Sequence, residues 1–178
     1  MRRKSFFATF FMFIIIVCLV GCGKGRTLSN KIVGKWKGKL DVASILSYEL
    51  SREMGINEKI FSPDPVYSDI QIVFNKDSSG ELIIDQKSFT KAVEKVIEPY
   101  ISLLVGVDTN NLVDLLFETA LQDMDPDTGT AFFTYEVDDK EDEVYLKFDD
   151  GNEGKIQYSN GKLEFETDVM DTRLVFKK

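Results

Sequence analysis

Residues 130 to 168 read "TAFFTYEVDDKEDEVYLKFDDGNEGKIQYSNGKLEFETD", and this stretch decides the fold. Apolar and polar residues alternate in four short runs, which is the pattern of strands with one buried face. The breaks between the runs are rich in Asp, Asn and Gly, and Asn160-Gly161 is the dipeptide most typical of a tight hairpin turn. The stretch therefore predicts consecutive antiparallel strands joined by short turns.

The same alternation continues outward from this stretch. "GKWKGKLD" forms a first strand with Gly38 on its apolar side, "SDIQIVFNKDSSGELIID" forms a hairpin, and "TRLVFKK" forms the last strand. Eight such strands can close a small barrel around packed side chains or one small ligand. We predict a mainly β fold with helical insertions, either an eight-stranded antiparallel barrel or a strongly curled sheet. The residues expected to face its interior, or to line a ligand there, are Trp36, Leu40, Ile70, Ile72, Phe74, Leu82, Ile84, Phe133, Tyr135, Leu146, Phe148, Leu163, Phe165, Leu174 and Phe176.

Two insertions with helical spacing interrupt the early strands. Residues 42–55 follow the first strand, with Asp41 as the expected N-cap and Gly55 as the stop. Residues 86–124 follow the third strand and predict two helices, the first of which is kinked at Pro99. An apolar stripe on that helix is expected to cover the barrel mouth as a lid, and its residues are Phe89, Val93, Val96, Ile97, Tyr100 and Leu104.

The N-terminus has the composition of a secretory leader. "MRRK" is basic, and the apolar run from Phe6 to Val20 is shorter than the roughly 20 residues of a membrane-spanning helix. The run ends in "LVGC", residues 19 to 22, which resembles the lipobox of bacterial lipoproteins. The resemblance implies cleavage after Gly21 and attachment of a diacylglyceryl group to the thiol of Cys22, often with a further acyl chain on the new amino terminus.

These features divide the chain into three parts. We expect a signal peptide over residues 1–21, a lipidated tether over 22–30 and a barrel domain over 31–178. The acyl chains on Cys22 would hold the protein on the extracytoplasmic face of a cell membrane, or of an outer membrane where the host has one. The only other cysteine, Cys18, leaves with the leader, so no disulfide is expected.

The tripeptide Gly34-Lys35-Trp36 on the first strand resembles the G-x-W motif of lipocalins and the broader calycin group. The whole plan is similar to lipocalin-like lipoproteins of bacteria, although lipocalins carry their main helix after the barrel. The resemblance implies a barrel that holds a small apolar ligand. Lipocalins also pack a late arginine on this tryptophan. Arg173 is the only arginine of the last strand, but Leu174 beside it is expected to point inward, so we expect no contact between Arg173 and Trp36.

Composition narrows the chemistry that the chain can perform. There is no histidine, which removes the usual general base and the usual zinc ligand. The formal net charge is −8, and the leader carries three of the 22 basic residues and none of the 30 acidic ones, so a chain starting at Cys22 carries −11. A surface this acidic repels nucleic acid and anionic lipid headgroups and suits basic partners.

An acidic run at the end of the second insertion begins like a calcium-binding loop. Asp123, Asp125 and Asp127 occupy alternate positions, but the sixth and twelfth positions hold Thr128 and Thr134 instead of glycine and glutamate. We therefore predict a solvated turn here. No catalytic residue, metal site or cofactor is expected anywhere in the chain.

Two functions remain open. The first is a membrane-anchored, non-enzymatic binding module for a small apolar ligand, held inside the barrel or beneath the helices. The second is an acidic protein of the cell envelope whose barrel core is solid and whose surface binds a protein or a polymer. A monomer is expected in both cases. The sequence does not separate them, because large inward residues line a cavity and fill a core alike.

Overall fold

A computed structural model describes residues 27–55, 64–100, 109–119, 121, 124–167 and 172–178. In these residues eight antiparallel strands form a closed barrel in which each strand pairs with the next and the eighth pairs with the first. The strands are β1 (Gly34–Asp41), β2 (Tyr67–Phe74), β3 (Ser79–Ile84), β4 (Thr130–Asp138), β5 (Glu143–Phe148), β6 (Glu153–Ser159), β7 (Lys162–Thr167) and β8 (Thr172–Lys177). The prediction of an eight-stranded antiparallel barrel with helices after strands one and three is confirmed.

The helices are α1 (Leu28–Ile32), α2 (Val42–Met54), α3 (Gln86–Ile97) and α4 (Thr109–Thr119), and a 3₁₀ turn follows α3 at Glu98–Tyr100. The predicted leader, Cys22 and the start of the tether lie outside the described residues.

Up-and-down connection of the strands gives the barrel two different ends. The helical end carries α2 in the β1–β2 connection and α3 with α4 in the β3–β4 connection. The closed end carries the turns β2–β3, β4–β5 and β6–β7, together with α1 and the C-terminal residue Lys178. At the β6–β7 turn Asn160 and Gly161 have positive φ angles of 51° and 75°, as a two-residue type I′ hairpin requires. The turn predicted there is confirmed.

Local signals begin and end the helices. The Asp41 carboxylate accepts hydrogen bonds from the amides of Ala43 and Ser44, and Gly55 ends α2 in the left-handed conformation with φ 64°. Both predicted caps are therefore confirmed. Pro99 acts differently from the prediction: α3 ends at Ile97 and Pro99 lies in the 3₁₀ turn, since proline cannot donate the next helical hydrogen bond.

The folded unit begins earlier than the sequence indicated. Leu28 and Ile32, one helical turn apart on α1, are buried, at 2% and 0% exposure. The Leu28 amide donates to the Asp139 carboxylate on the β4–β5 turn at 2.6 Å. Residues 28 to 30, which the sequence places in the tether, are thus part of the packed domain, because α1 closes one end of the barrel.

Candidate functional site

The barrel interior holds all fifteen residues that alternation assigned to it. Thirteen are buried, and Leu82 and Phe165 are partly buried and pack against the same core. The core continues without interruption into the helices at the helical end, where residues such as Ile45 and Leu46 of α2 are buried. These placements establish a core, which is compatible with either function that the sequence left open.

Aromatic rings pack against the glycines that face the barrel interior. A Cβ atom built on Gly80 of β3 would lie 2.3 Å from two ring atoms of Phe133. On Gly38 of β1 it would lie 2.9 Å from the ring of Phe176, which belongs to the neighbouring strand β8. The lack of a side chain at these glycines therefore provides the space that the neighbouring rings occupy.

The rings also contact one another around and across the barrel. Phe133 lies edge-on to Phe74 of β2 and to Phe148 of β5, with centroid distances of 5.6 and 5.7 Å. Trp36 of β1 reaches Tyr158 of β6, three strands away around the closed sheet, in a T-shaped contact at 6.3 Å. Such edge-to-face contacts are the favourable geometry for aromatic pairs.

Trp36 also joins the barrel to α1. Its indole Nε1 donates to the Ile32 carbonyl at 2.6 Å, which satisfies the one polar atom of a side chain that is 2% exposed. The ammonium group of Lys31 lies 5.5 Å from the ring centroid of Tyr158, the residue that Trp36 contacts. Trp36 thus serves as a structural residue at the closed end.

The cation that packs on Trp36 is Lys178, the last residue of the chain, and not an arginine. The Lys178 ammonium lies 4.9 Å from the Trp36 ring centroid and donates to the carbonyls of Lys31 and Val33 at 2.6 and 3.0 Å. Alternation contained the signal, because Leu174 and Phe176 face inward and Lys178 has the same parity.

Arg173 points away from the barrel, as its parity predicted. Its guanidinium forms ion pairs with Glu164 and Glu166 of the neighbouring strand β7, both at 2.8 Å. The expectation that Arg173 would make no contact with Trp36 is confirmed.

An open polar groove of about 610 Å³ lies beside α1 at the closed end. It is lined by Ser29, Asn30, Val33, Lys76, Ser78, Tyr135, Glu136 and Val137. The Tyr135 hydroxyl donates to the Asn75 carbonyl at 2.5 Å, and burial, with the nearby charge of Asp77, raises the pKa of Tyr135. With hydroxyl, amide, ammonium and carboxylate groups on its walls, the groove suits a polar partner better than an apolar one.

The expected lid residues belong to the helical layer. Phe89, Val93, Val96 and Ile97 are buried, and Tyr100 packs against the same core, whereas Leu104 lies outside the described residues. Their helix, α3, contacts α2, α4 and β2. The stripe therefore packs on the barrel's helical end.

One carboxylate in this layer is buried without a hydrogen bond. Glu49 of α2 is 0% exposed, and neither of its carboxylate oxygens has a hydrogen-bond partner among the described residues. The Arg52 guanidinium one turn later lies 3.2 Å from Oε2, which is ion-pair distance but not hydrogen-bond geometry. Sequence reasoning missed Glu49, because it lies in an ordinary amphipathic helix pattern.

The acidic turn that begins like a calcium loop uses its carboxylate locally. Asp125 Oδ1 accepts from the amides of Asp127 and Thr128 at 2.8 and 3.3 Å, and Asp123 lies outside the described residues. The described part of the chain contains no group of three or more His, Cys, Asp or Glu residues that could hold a metal ion.

A small polar cluster lies on the outer wall of strands β5 and β6. Tyr145 donates to Glu143 at 2.5 Å, and the Lys155 ammonium lies 3.0 Å from the other carboxylate oxygen. These two contacts, that of Tyr145 first, lower the pKa of Glu143, while the hydrogen bond to Glu143 raises the pKa of both Tyr145 and Lys155. The cluster lies at the surface, with the Glu143 side chain 16% exposed, and its groups satisfy one another.

In comparisons with known proteins, no family model, curated protein or solved structure matches the chain. None of the helices in the described ranges is long and apolar enough to cross a membrane.

Proposed function

We propose that the protein is a lipid-anchored, non-enzymatic binding protein of the cell envelope whose barrel is a solid scaffold and whose outer surface binds a protein or polymer. The observation that carries this proposal is the set of aromatic rings packed on inward-facing glycines, of which Phe133 on Gly80 is the tightest. A ligand inside the barrel would have to displace rings that already contact one another.

The polar groove beside α1 is the described concavity that suits such a partner. Lys76 and Glu136 place opposite charges on its walls, and Ser29 and Asn30 add neutral donors and acceptors. An extended peptide or a polymer with amide and hydroxyl groups matches this mixture. The support for the lipid anchor is the resemblance of residues 19 to 22 to a lipobox.

Two measurements test the proposal, one on the membrane-extracted protein and one on residues 27–178. The membrane-extracted protein should have an intact mass that starts at Cys22 and includes at least two acyl chains, because one chain gives only marginal attachment. Residues 27–178 should show no rise in melting temperature with a panel of fatty acids and other apolar metabolites. A reproducible rise that Phe133→Ala alters would refute the solid scaffold, whereas a mature chain starting elsewhere would refute the anchor alone.

A small apolar or amphipathic ligand beneath the helices is the second candidate, and Glu49 favours it. A ligand hydroxyl or ammonium group could occupy the unfilled acceptors of this buried carboxylate. The panel separates the two candidates, because ligand-dependent stabilisation that Glu49→Gln abolishes would support the helical layer as the site.

A further inference from the structure

Closure of the barrel brings three lysines into one row on its outer wall. Lys162 of β7 is directly opposite Lys177 of β8, which is directly opposite Lys37 of β1. All three are exposed, and Lys35 lies two residues from Lys37 on the same outer face. With strands about 4.8 Å apart, the three Cα atoms span roughly 10 Å. We call these four residues the lysine patch.

The patch has no compensating acid among the described residues. Its row continues on the flanking strands with Ser159, opposite Lys162, and Gln71, opposite Lys37, which are both neutral. The nearest acids on this wall are already engaged: Glu164 pairs with Arg173, and the next lysine of β1, Lys39, pairs with Asp69. None of the four patch lysines forms an ion pair with a described residue. Like charges directly opposite on neighbouring strands are destabilising, so the patch lowers the stability of the free barrel.

Position on the barrel indicates which anion the patch meets. It lies at the closed end, next to α1, and only four residues lie between Cys22 and Thr27, where the described chain starts. The five Cα–Cα steps from Cys22 to Thr27 span at most about 18 Å when extended, so an acylated Cys22 would keep this end close to the bilayer. This step rests on the anchor that is part of the proposed function.

Charge is distributed so that one side of the closed end suits an anionic surface. The acidic β4–β5 turn, Asp138 to Glu143, lies on the opposite side of the ring of strands from β8 and β1. Leu28 is tied to this turn through Asp139, so the tether leaves from the acidic side. Eight strands give a barrel with a diameter of roughly 16 Å, which is less than the length of the extended tether. The tether therefore lets the barrel turn its lysine patch toward the membrane and its acidic turn away from it.

We propose that the lysine patch docks the anchored barrel onto anionic phospholipids, so that the closed-end part of the β7–β8–β1 wall meets the membrane and the helical end tilts away from it. The overall negative charge, which by itself repels anionic headgroups, opposes contact elsewhere on the surface and fixes the orientation. Each lysine near an anionic leaflet strengthens adsorption about five-fold, so three lysines favour the docked orientation by roughly one hundred-fold at physiological salt.

The test uses the full chain, reconstituted into phosphatidylcholine vesicles with or without about one third phosphatidylglycerol. A membrane-impermeant amine-acylating reagent labels exposed lysines, and mass spectrometry reports each site. Labelling of Lys37, Lys162 and Lys177 should fall several-fold on the anionic vesicles only. It should recover in 1 M salt, where the screening length is about 3 Å. Lys87, Lys91 and Lys95 of α3, which are exposed at the helical end, should label equally on both vesicles.

Two charge-matched variants show whether the patch itself docks. In Lys37→Glu/Lys162→Glu/Lys177→Glu the remaining patch residue, Lys35, should lose its protection. In Lys87→Glu/Lys91→Glu/Lys95→Glu, which has the same net charge, Lys35 should keep it. These lysines are exposed, so both variants are expected to fold, and equal circular dichroism spectra check this.

The remaining outcomes overturn the proposal. Equal labelling of the patch on neutral and anionic vesicles would rule docking out. Protection on both vesicle types that grows with protein density would indicate a second copy of the chain as the occupant. If the intact mass shows no acyl chains, the anchor has failed; a maleimide lipid coupled to Cys22 then supplies the attachment, and the same labelling still decides docking separately.

Discussion

The substitution Gly80→Ala tests the solid barrel most directly. Gly80 is a buried residue on the inner face of β3, and an added Cβ would lie 2.3 Å from two Phe133 ring atoms and 2.6 Å from the Val73 carbonyl oxygen. At a strand position with free space for the methyl group, the same change would stabilise the protein by about 0.5–1 kcal/mol, because glycine loses the most backbone entropy on folding. The sign of the measured effect therefore shows which term dominates.

Packing should dominate by a clear margin. Phe133 is 2% exposed and has Phe74 on one side and Phe148 on the other, so its ring cannot turn aside without moving both. The Val73 oxygen belongs to the backbone of the adjacent strand β2 and cannot move without distorting the sheet. Overpacking of this kind costs about 1–3 kcal/mol, and the backbone contact places this site at the upper end. We expect the free energy of unfolding to fall by about 3 kcal/mol, measured by urea unfolding of residues 27–178 with an unchanged m-value.

A matched glycine and a double mutant isolate the cause. Gly154→Ala meets only side chains, with the closest ring atom of Phe165 at 2.8 Å, and Phe165 is only partly buried and can shift, so a loss nearer 1 kcal/mol is expected. In a Phe133→Leu background Gly80→Ala should cost less than in the wild type, since part of the obstructing ring is gone. If Gly80→Ala is as stable as the wild type, Phe133 has room to move. The barrel would then contain the open volume that an apolar ligand needs, and the solid scaffold would be wrong.

Three further predictions concern other sites. Lys178→Met removes the cation over Trp36 and the hydrogen bonds to the carbonyls of Lys31 and Val33, so it should lower the free energy of unfolding by about 1–2 kcal/mol and speed hydrogen exchange at the indole N–H. Glu49→Met should raise the free energy of unfolding by about 1–3 kcal/mol, because it removes a buried carboxylate without hydrogen bonds; a decrease in urea unfolding would contradict this. Tyr145→Phe should raise the pKa of Glu143, followed by carboxyl-carbon NMR. Because the pKa of Glu143 is lower in the folded protein than in the unfolded chain, Glu143 stabilises the fold at pH values above its unfolded pKa, and this stabilisation is lost as the pH falls through its folded pKa. The stability of the variant should therefore fall less on acidification than that of the wild type. An unchanged titration of Glu143 would contradict the assigned cause.

The fold could be predicted because its main signal is local. Alternation along each strand identifies the buried face without knowledge of the partner strand, and all fifteen residues assigned in this way lie in the core. Asp41, Gly55 and Asn160-Gly161 act on their immediate neighbours, and for the same reason each has the predicted role. The start of the domain was misplaced, because the two apolar positions of α1 are too few to reveal a five-residue helix.

The candidate site depends on relations between distant residues that no local pattern encodes. Parity alone places Gly80 and Gly154 inward, but which ring lies over each glycine follows from the register between strands. The lysine patch is the extreme case, since Lys37 and Lys177 meet only where β1 and β8 close the barrel. A strongly curled but open sheet with the same eight strands, which the sequence also allows, would leave β1 and β8 as edges and would separate the two lysines. The closure that completes the core is therefore also what creates the concentrated charge, and membrane docking requires the closed barrel rather than the composition of the chain.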